Sequence, residues 1–332
     1  MKIIDLNNDE NIAIIGDLHF DNRTINSRID YLLITANNKL KDIFIKCQQH
    51  NVKIVIFQGD VFNRVQISYE ALNLFTNTLI HFKNLNSDLQ IYSIIGNHDM
   101  FRNSIDLMQK TPLQLLFNSG IIEHICLENK LQVNIKNENS KIKKLLITPV
   151  DYIEYPPEAD ANFDINILIA HMFYNKSDAV SNSEHNLKNN EVKNLNYDFI
   201  FLGHDHEEYP PESINKTILY RQGAVIRGTS HNYNFERKPC FLILKNLYNL
   251  SQNSIEKIHI TCQNYKDVVR SFIANKKDLN LKNIMQENLK YLADKLTILP
   301  KTYENNIISK IENDINLSTN CKEILLHYIN EN

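Results

Sequence analysis

The sequence predicts an α/β fold, and three observations support this class. Short apolar runs of strand length alternate with segments of helical period from Ile12 to about Leu244. Strand–helix–strand alternation at the start of this region indicates a largely parallel sheet. Glycine followed by polar residues stands at the end of four of the predicted strands, and the carboxyl edge of such a sheet is where α/β proteins place their ligand sites.

Six apolar runs have the length and composition of buried strands. In chain order they are Ile12–Ile15, Lys53–Gln58, Leu89–Ile95, Leu145–Thr148, Ile165–Ala170 and Tyr197–Leu202. Three further strands are predicted close to one another and suggest a second, more mixed sheet. These are Gln132–Ile135, Thr217–Tyr220 and Cys240–Leu244.

Two helices are predicted between the early strands, because apolar residues recur there with the helical period. The second of them is Ala71–Phe82. The apolar face of the first consists of Ile29, Leu32, Leu33, Ala36, Leu40, Ile43, Phe44 and Cys47.

The pattern changes after about residue 250, so we expect a large domain over residues 1–250 and a small capping or partner-docking region over 251–332. One more strand is predicted at Ile255–Ile260. Beyond it, apolar stripes with a helical period indicate a helical C-terminus, and Asn320 with Glu323 resembles a helix N-cap and its reciprocal partner. The stripes run from Leu281 to Leu296 and from Ile307 to Ile315.

The composition is that of a folded protein without a strongly basic surface. Of the 332 residues, 43% are hydrophobic and 23% are charged, and 36 Lys and Arg against 39 Asp and Glu give a net charge of -3. A protein that held nucleic acid by bulk charge alone would be basic. Any hold on DNA must therefore come from local patches, bound metal ions or a partner.

The cysteines and the N-terminal residues indicate a cytoplasmic protein. Five scattered cysteines include no Cys-x-x-Cys pair, which favours reduced thiols over a disulfide framework. Asp5, Asp9 and Glu10 occupy the stretch where a signal peptide would have its apolar core. No apolar run is long enough for a membrane span, so we expect no membrane association.

Polar residues that can bind metal follow five of the predicted strands. Because the carboxyl ends of the strands face one edge of an open α/β sheet, these residues should converge there. The segments are Gly16-Asp17-Leu18-His19, Gly59-Asp60-Val61-Phe62-Asn63, Gly96-Asn97-His98-Asp99, Ala170-His171 and Gly203-His204-Asp205-His206.

These residue types suit two divalent metal ions. Carboxylate and amide oxygens with imidazole nitrogens, and no thiolate, favour Mn, Fe or Zn over Mg. Seven donors serve two ions if one carboxylate bridges them, and two divalent ions outweigh two carboxylates, leaving positive charge to hold a phosphate. Each motif alone has a simpler structural interpretation as a turn, a structural histidine or a solvated loop. Their joint occurrence, in order and at strand ends, favours the metal site.

The order of these motifs resembles the calcineurin-like metallophosphoesterases, over Ile12 to about Leu244. The resemblance implies a two-sheet β-sandwich flanked by helices (α/β/β/α) and two divalent ions, with Mn²⁺ preferred to Fe or Zn. It also implies that His98 contacts the phosphate and protonates the leaving oxygen, and that Asp99 either orients His98 or forms a turn. By position, Asp17, His19 and His206 would hold one metal, Asn97, His171 and His204 the other, and Asp60 would bridge them.

Within this superfamily the chain resembles the nuclease subunit of SbcCD-type recombination and repair complexes, including the corresponding subunits of large tailed phages. The matching segments are Gly59-Asp60-Val61-Phe62, Ile167 to His171, Ser181 to Glu184, Phe199 to His204 and Tyr220 to Ala224. The resemblance implies a DNA exonuclease and endonuclease acting with a coiled-coil ATPase, a homodimer, and a tail that docks on the ATPase. A virus-encoded protein acting in the host cytoplasm fits it equally.

The chain departs from the nuclease pattern at two places. Many members have a second histidine, linked to exonuclease activity, where this chain has Asn63, so the resemblance leaves the balance of exonuclease and endonuclease action open. The proline that often follows the segment ending at Ala224 is absent. By contrast, the absence after Asp60 of the Asp-Arg-Gly that protein phosphatases carry favours the nuclease resemblance.

Two other functions remain open at this stage. A phosphodiesterase for cyclic nucleotides or other small molecules would use the same metals, with the tail as a lid or a dimer element. A scaffold protein with a decayed site would use none of them, but all seven donors are present in this chain.

Overall fold

The computed structural model describes residues 1–23, 28–176, 186–228 and 233–269. Contacts within the chain define one compact unit from Met1 to Arg270, and the fold below is that of this unit. The predicted helices beyond residue 280 and the Ser181–Glu184 segment lie outside the described residues.

Fifteen strands and six α-helices make up the described fold, with four short 3₁₀ turns at Phe101–Asn103, Ile105–Lys110, Leu247–Asn249 and Gln252–Ser254. The strands are β1 (Lys2–Asn7), β2 (Asn11–Ile15), β3 (Val52–Phe57), β4 (Gln90–Ser93), β5 (Glu123–His124), β6 (Leu131–Lys136), β7 (Ile142–Val150), β8 (Ile165–His171), β9 (Phe173–Asn175), β10 (Asn186–Lys188), β11 (Phe199–Gly203), β12 (Tyr209–Ile214), β13 (Thr217–Arg221), β14 (Cys240–Leu244) and β15 (Ile255–His259). The helices are α1 (Leu32–Gln49), α2 (Tyr69–Leu85), α3 (Pro112–Asn118), α4 (Asn189–Leu195), α5 (Tyr233–Glu236) and α6 (Tyr265–Val268).

Two large mixed sheets contain most of the strands. The six-stranded sheet has the order β15-β14-β2-β3-β4-β5, with β2 to β5 parallel and β14 antiparallel to both of its neighbours. The seven-stranded sheet has the order β1-β6-β7-β8-β11-β13-β12, and its centre from β7 to β13 is parallel. Strands β9 and β10 form a separate two-stranded pair.

The two sheets pack face to face, and helices cover their outer faces. Side chains alternate along a strand between the two faces. In β2, Ile12 and Ile14 therefore join the core between the sheets, whereas Ala13 and Ile15 join the core under α1, α2 and α3. Helix α4 covers the outer face of the seven-stranded sheet. The predicted two-sheet sandwich with flanking helices is confirmed.

Helix α1 follows the predicted apolar period with one exception. Ile29 was expected on its buried face, but the helix begins at Leu32 and Ile29 is 53% exposed. This prediction was wrong because Ile29 belongs to the preceding loop, where its backbone N–H donates to the Val268 carbonyl. The other seven predicted residues of this face are buried.

Strand β14 lies in a different sheet from the one expected. The sequence groups Cys240–Leu244 with the later strands, but it pairs with β2 in the six-stranded sheet. Proximity along the chain does not determine strand partners, because antiparallel neighbours can be distant in sequence. Strand β15, predicted at Ile255–Ile260, extends this sheet at its edge.

Candidate metal centre

The predicted site residues all lie at one end of the sandwich, at the carboxyl ends of strands from both sheets. In the six-stranded sheet, Asp17 and His19 follow β2, Asp60 follows β3 and Asn97 follows β4. From the seven-stranded sheet, His171 ends β8, and His204 and His206 follow β11. The site therefore spans the interface between the two sheets.

The first donor group consists of Asp17, His19, Asp60 and His206, whose candidate ligand atoms all lie within 4.8 Å of one another. His19 Nε2 is 2.8 Å from His206 Nε2 and 3.8 Å from Asp60 Oδ2. His206 Nε2 is 3.6 Å from Asp17 Oδ2. Two carboxylates and two imidazoles at this spacing suit one divalent ion.

The second donor group consists of Asp60, His171 and His204, also within 4.8 Å of one another. His171 Nε2 is 3.3 Å from Asp60 Oδ2 and 3.1 Å from Asn97 Oδ1. The amide oxygen of Asn97 is thus placed with this group, as the resemblance implies.

Asp60 belongs to both groups, and its two oxygens have different surroundings. Oδ1 accepts a hydrogen bond of 2.8 Å from the backbone N–H of His98. Oδ2 is buried and has no hydrogen-bond partner among the described residues. A buried carboxylate oxygen without a donor is costly unless a cation compensates it, so the position of Asp60 fits a carboxylate that bridges two ions.

Hydrogen bonds to backbone groups fix the orientation of the donors. The Nδ1–H of His171 donates to the Gln58 carbonyl over 2.7 Å, so Nε2 is the ring nitrogen that faces Asp60 and Asn97. Both carboxylate oxygens of Asp17 accept from the backbone N–H of His204, at 3.1 and 3.0 Å. These contacts tie a loop of one sheet to a loop of the other.

Three of the predicted ligands have backbone conformations that residues other than glycine rarely adopt. His19, Asp60 and His204 have positive φ angles of 48°, 47° and 84°. Such residues persist where the surrounding structure compensates their strain, and they concentrate at functional sites. Gly96 serves the site by close approach, since a Cβ there would lie 2.1 Å from Asp60 Oδ1.

Burial makes three of the histidines neutral, as metal ligands must be. It lowers the pKa of His19 and of His204 to about 3 and that of His206 to about 4. Burial also raises the pKa of Asp17 to about 7. His171 is different: burial alone would lower its pKa, but the adjacent Asp60 and Asp17 carboxylates raise it to about 10. Without metal, the cluster thus favours a proton on His171 beside Asp60, at a position where a cation can replace it.

His98 lies beside the first donor group, with its ring 4.8 Å from that of His19. Its Nδ1–H donates to the Asn63 carbonyl over 2.6 Å, so the ring is held by the loop after β3. The resemblance implies that Asp99 orients the His98 ring, with a turn as the alternative. The buried Asp99 carboxylate instead accepts backbone N–H groups of Gly96, Val61 and Phe62, and so joins the loops after β3 and β4.

Three residues near the centre were not predicted. Tyr152 follows β7, and its ring lies 5.3 Å from that of His204. Phe173 lies 3.9 Å from the His204 ring and is 39% exposed. Asp21 is fully buried and accepts from Asn63 Nδ2 at 3.0 Å and from Arg64. Tyr152 and Phe173 each lie just past a strand end, which is a sequence signal for a site residue. The signal is weak because no glycine precedes either residue.

Comparison with known families identifies the fold and its chemistry. A sequence profile described as calcineurin-like phosphoesterase matches residues 10–208. The chain belongs to this family. Its members are metal-dependent hydrolases of phosphate esters, and the buried Asp and His cluster supplies ligands for divalent ions. A search of the curated proteins finds no match.

Solved structures with a similar fold are distant in sequence. A candidate 5′-nucleotidase from Staphylococcus aureus is 14% identical, with a TM-score of 0.43, over 84% of this chain. The chain spans 58% of the length of that protein. The calcineurin-like phosphoesterase YfkN from Bacillus subtilis is 12% identical, with a TM-score of 0.41, over 83% of this chain and 98% of its own. GAP50, the anchor in the inner membrane complex of Plasmodium, is 12% identical, with a TM-score of 0.44, over 76% and 89% of the two chains.

None of the helices among the described residues combines the length and the apolar character needed to cross a membrane.

Proposed function

We propose that this protein is a two-metal DNA nuclease that hydrolyses phosphodiester bonds at DNA ends or hairpins. The observation that carries the proposal is the pair of donor groups sharing Asp60 Oδ2, with His98 beside them. Such a centre acts on phosphate esters. The choice of DNA follows the resemblance of Gly59-Asp60-Val61-Phe62 and the later motifs to SbcCD-type nuclease subunits.

The residues have separate roles in this reaction. Bound ions would supply positive charge for the phosphate and lower the pKa of water. Asp17, His19 and His206 would hold one ion and Asn97, His171 and His204 the other, with Asp60 shared. His98, fixed through Nδ1, presents Nε2 as the proton donor to the leaving oxygen.

An exposed aromatic ring at the site supports a substrate that carries bases. Phe173 lies against His204 and keeps 39% of its surface exposed. Aromatic side chains stack with nucleobases without sequence preference, because every base has a π face. A nucleotide next to the scissile phosphate could therefore stack on Phe173.

The proposed assembly is a homodimer acting with a coiled-coil ATPase in DNA recombination and repair, in the cytoplasm. With a net charge of -3, the isolated subunit should bind DNA weakly, because few basic groups are available to neutralise phosphates. Tight binding that is insensitive to salt would contradict this part of the proposal. A neighbouring gene for a long coiled-coil protein with a P-loop would support the partner.

The deciding experiment compares cleavage of a labelled DNA hairpin and of bis-p-nitrophenyl phosphate in Mn²⁺. Wild type should cut both substrates. His98→Ala should lose roughly 10²- to 10⁴-fold of its DNA cleavage, the range for a general acid, while its metal content is unchanged. His81→Ala, an exposed histidine on α2, is the matched control and should resemble wild type.

If wild type cuts only the small phosphodiester, even with the ATPase added, the metal centre is retained and the DNA substrate is wrong. A chain that binds no metal would instead support a non-catalytic scaffold.

A further inference from the structure

A segment behind the first donor group connects two of its ligands. We call Gly223–Gly228, which follows β13, the strap. The backbone N–H of Val225 donates to the Asp17 carbonyl at 2.8 Å, and that of Ala224 donates to the His206 carbonyl at 3.2 Å. Adjacent strap residues thus bond to ligands from different sheets.

The carbonyl groups of the same two residues bond to buried basic side chains. Arg237 Nη1 donates to the Ala224 carbonyl at 2.6 Å, and Lys39 Nζ of α1 donates to the Val225 carbonyl at 2.7 Å. Ala224 and Val225 therefore each bond through the N–H group to the backbone of a metal ligand and through the carbonyl group to a basic side chain. A third basic side chain, Arg28, donates to the Arg227 carbonyl at 2.9 Å.

The burial of these basic groups is costly. Lys39 is 3% exposed and Arg237 is 9% exposed, and the acceptors described for both are neutral oxygens. Burial lowers the pKa of Lys39 to about 7, with Arg227, Arg28 and Arg237 adding to the effect of burial. Buried charges without carboxylate partners destabilise a fold. Because no carboxylate among the described residues is an acceptor for Lys39 or Arg237, their position requires another explanation.

Close packing supports the same connection. A Cβ at Gly223 would lie 2.8 Å from the His206 carbonyl oxygen, and a Cβ at Gly16 would lie 2.6 Å from the Gly223 carbonyl oxygen. The strap thus packs directly on the loops that carry Asp17 and His206. A shift of the strap must move one of these loops.

We propose that Lys39 and Arg237 are positioning residues for the metal ion of the Asp17, His19 and His206 group, acting through the strap. They hold the carbonyls of Ala224 and Val225, and the N–H groups of these residues hold the backbones of His206 and Asp17. The inference rests on the proposed ligand set, but it does not depend on DNA being the substrate.

The test is titration of the metal-free full chain with Mn²⁺ by calorimetry. Lys39→Met keeps the apolar stem and removes the donor to the Val225 carbonyl, and Arg237→Gln tests the neighbouring contact at the Ala224 carbonyl. Each should weaken one of two Mn²⁺ sites about tenfold, the lower end of the range for partners of metal ligands, and leave the other unchanged. Lys46→Met is the control: this lysine lies two turns later on α1 and bonds to Asp42 and the His259 carbonyl, away from the strap.

Reference variants assign the weakened site. His19→Ala should remove the first site and His204→Ala the second. Lys39→Met should have no further effect on Mn²⁺ binding in the His19→Ala background, but should weaken the remaining site in the His204→Ala background. If neither reference variant loses a site, the ligand set is wrong, which is a separate failure from that of the strap.

Equal weakening of both sites, or affinities within twofold of wild type in both variants, would overturn the inference. A variant that does not fold is recognised by its circular dichroism spectrum, and the other variant then decides the question. Lys39→Arg should restore most of the lost affinity, because it keeps a donor at this position.

Discussion

Single residues determine how this centre collects its ligands. Asp60 has a positive φ, and its Oδ1 accepts a hydrogen bond from the backbone N–H of His98. Its Oδ2 faces both donor groups. Asn63 is in a related situation, since its carbonyl fixes His98 and its side chain bonds to Asp21. Residue 63 therefore orients His98 through its backbone carbonyl and contacts the buried Asp21 through its side chain.

Phe173→Leu should reduce cleavage of single-stranded DNA by roughly tenfold, because base–aromatic stacking contributes about 1–3 kcal/mol per base. The loss should disappear on a substrate with an abasic nucleotide beside the scissile phosphate, where no base can stack. Phe235→Leu, another exposed phenylalanine, is the control. An equal loss on both substrates would mean that Phe173 supports His204 rather than the substrate.

Gly96→Ala should weaken Mn²⁺ binding, because the new Cβ would lie 2.1 Å from Asp60 Oδ1 and 2.4 Å from its backbone nitrogen. The forced shift should also lower the free energy of unfolding by about 1–3 kcal/mol. Gly120→Ala is the control: its φ of +69° brings strain, but no atom of the described residues lies within 4 Å of the new Cβ. It should lower stability without changing the affinity for Mn²⁺, as calorimetry would show.

Among the elements, helix α2 stabilises the sandwich, whereas helix α1 also carries Lys39, which bonds to the strap. Helix α2 begins after Ser68, whose hydroxyl accepts from the backbone N–H of Ala71 at 3.1 Å. The helix packs Phe75 and Leu79 on the outer face of the six-stranded sheet. Its contribution is to the stability of the fold, since the metal ligands come from strand ends.

Ser68→Ala should lower the free energy of unfolding by about 1 kcal/mol, the usual effect of losing an N-cap. Urea unfolding of the metal-free protein would measure it, and Mn²⁺ affinity should not change. Ser68→Asp retains an acceptor at the N-cap and should unfold close to wild type. A large loss of Mn²⁺ affinity in Ser68→Ala would show that α2 influences the centre.

In the whole molecule, the candidate metal centre links the two sheets. Four ligands follow strands of the six-stranded sheet, namely Asp17, His19, Asp60 and Asn97. The other three come from the seven-stranded sheet, namely His171, His204 and His206. An ion bound to both sets would therefore join the two halves of the sandwich, and its binding energy should stabilise the fold.

Mn²⁺ at 100 times its dissociation constant should raise the free energy of unfolding by about 2.7 kcal/mol per site. Thermal unfolding in Mn²⁺ and in EDTA would measure the difference. Asp60→Asn, which weakens the shared ligand, should show little of it. The same Mn²⁺-dependent shift in Asp60→Asn would exclude Asp60 as the bridge.

The sequence by itself determined the strand cores, the two long helices, the family and the seven candidate ligands, because strand ends with glycine and polar residues are local signals. It did not determine that β14 joins β2, that Ile29 lies outside α1, or that Asn63 rather than Asp99 holds His98. The strap with Lys39 and Arg237, and the exposed Phe173, were also decided by the tertiary structure. These features depend on contacts between residues far apart in the chain, and such contacts leave no periodicity or spacing in the sequence.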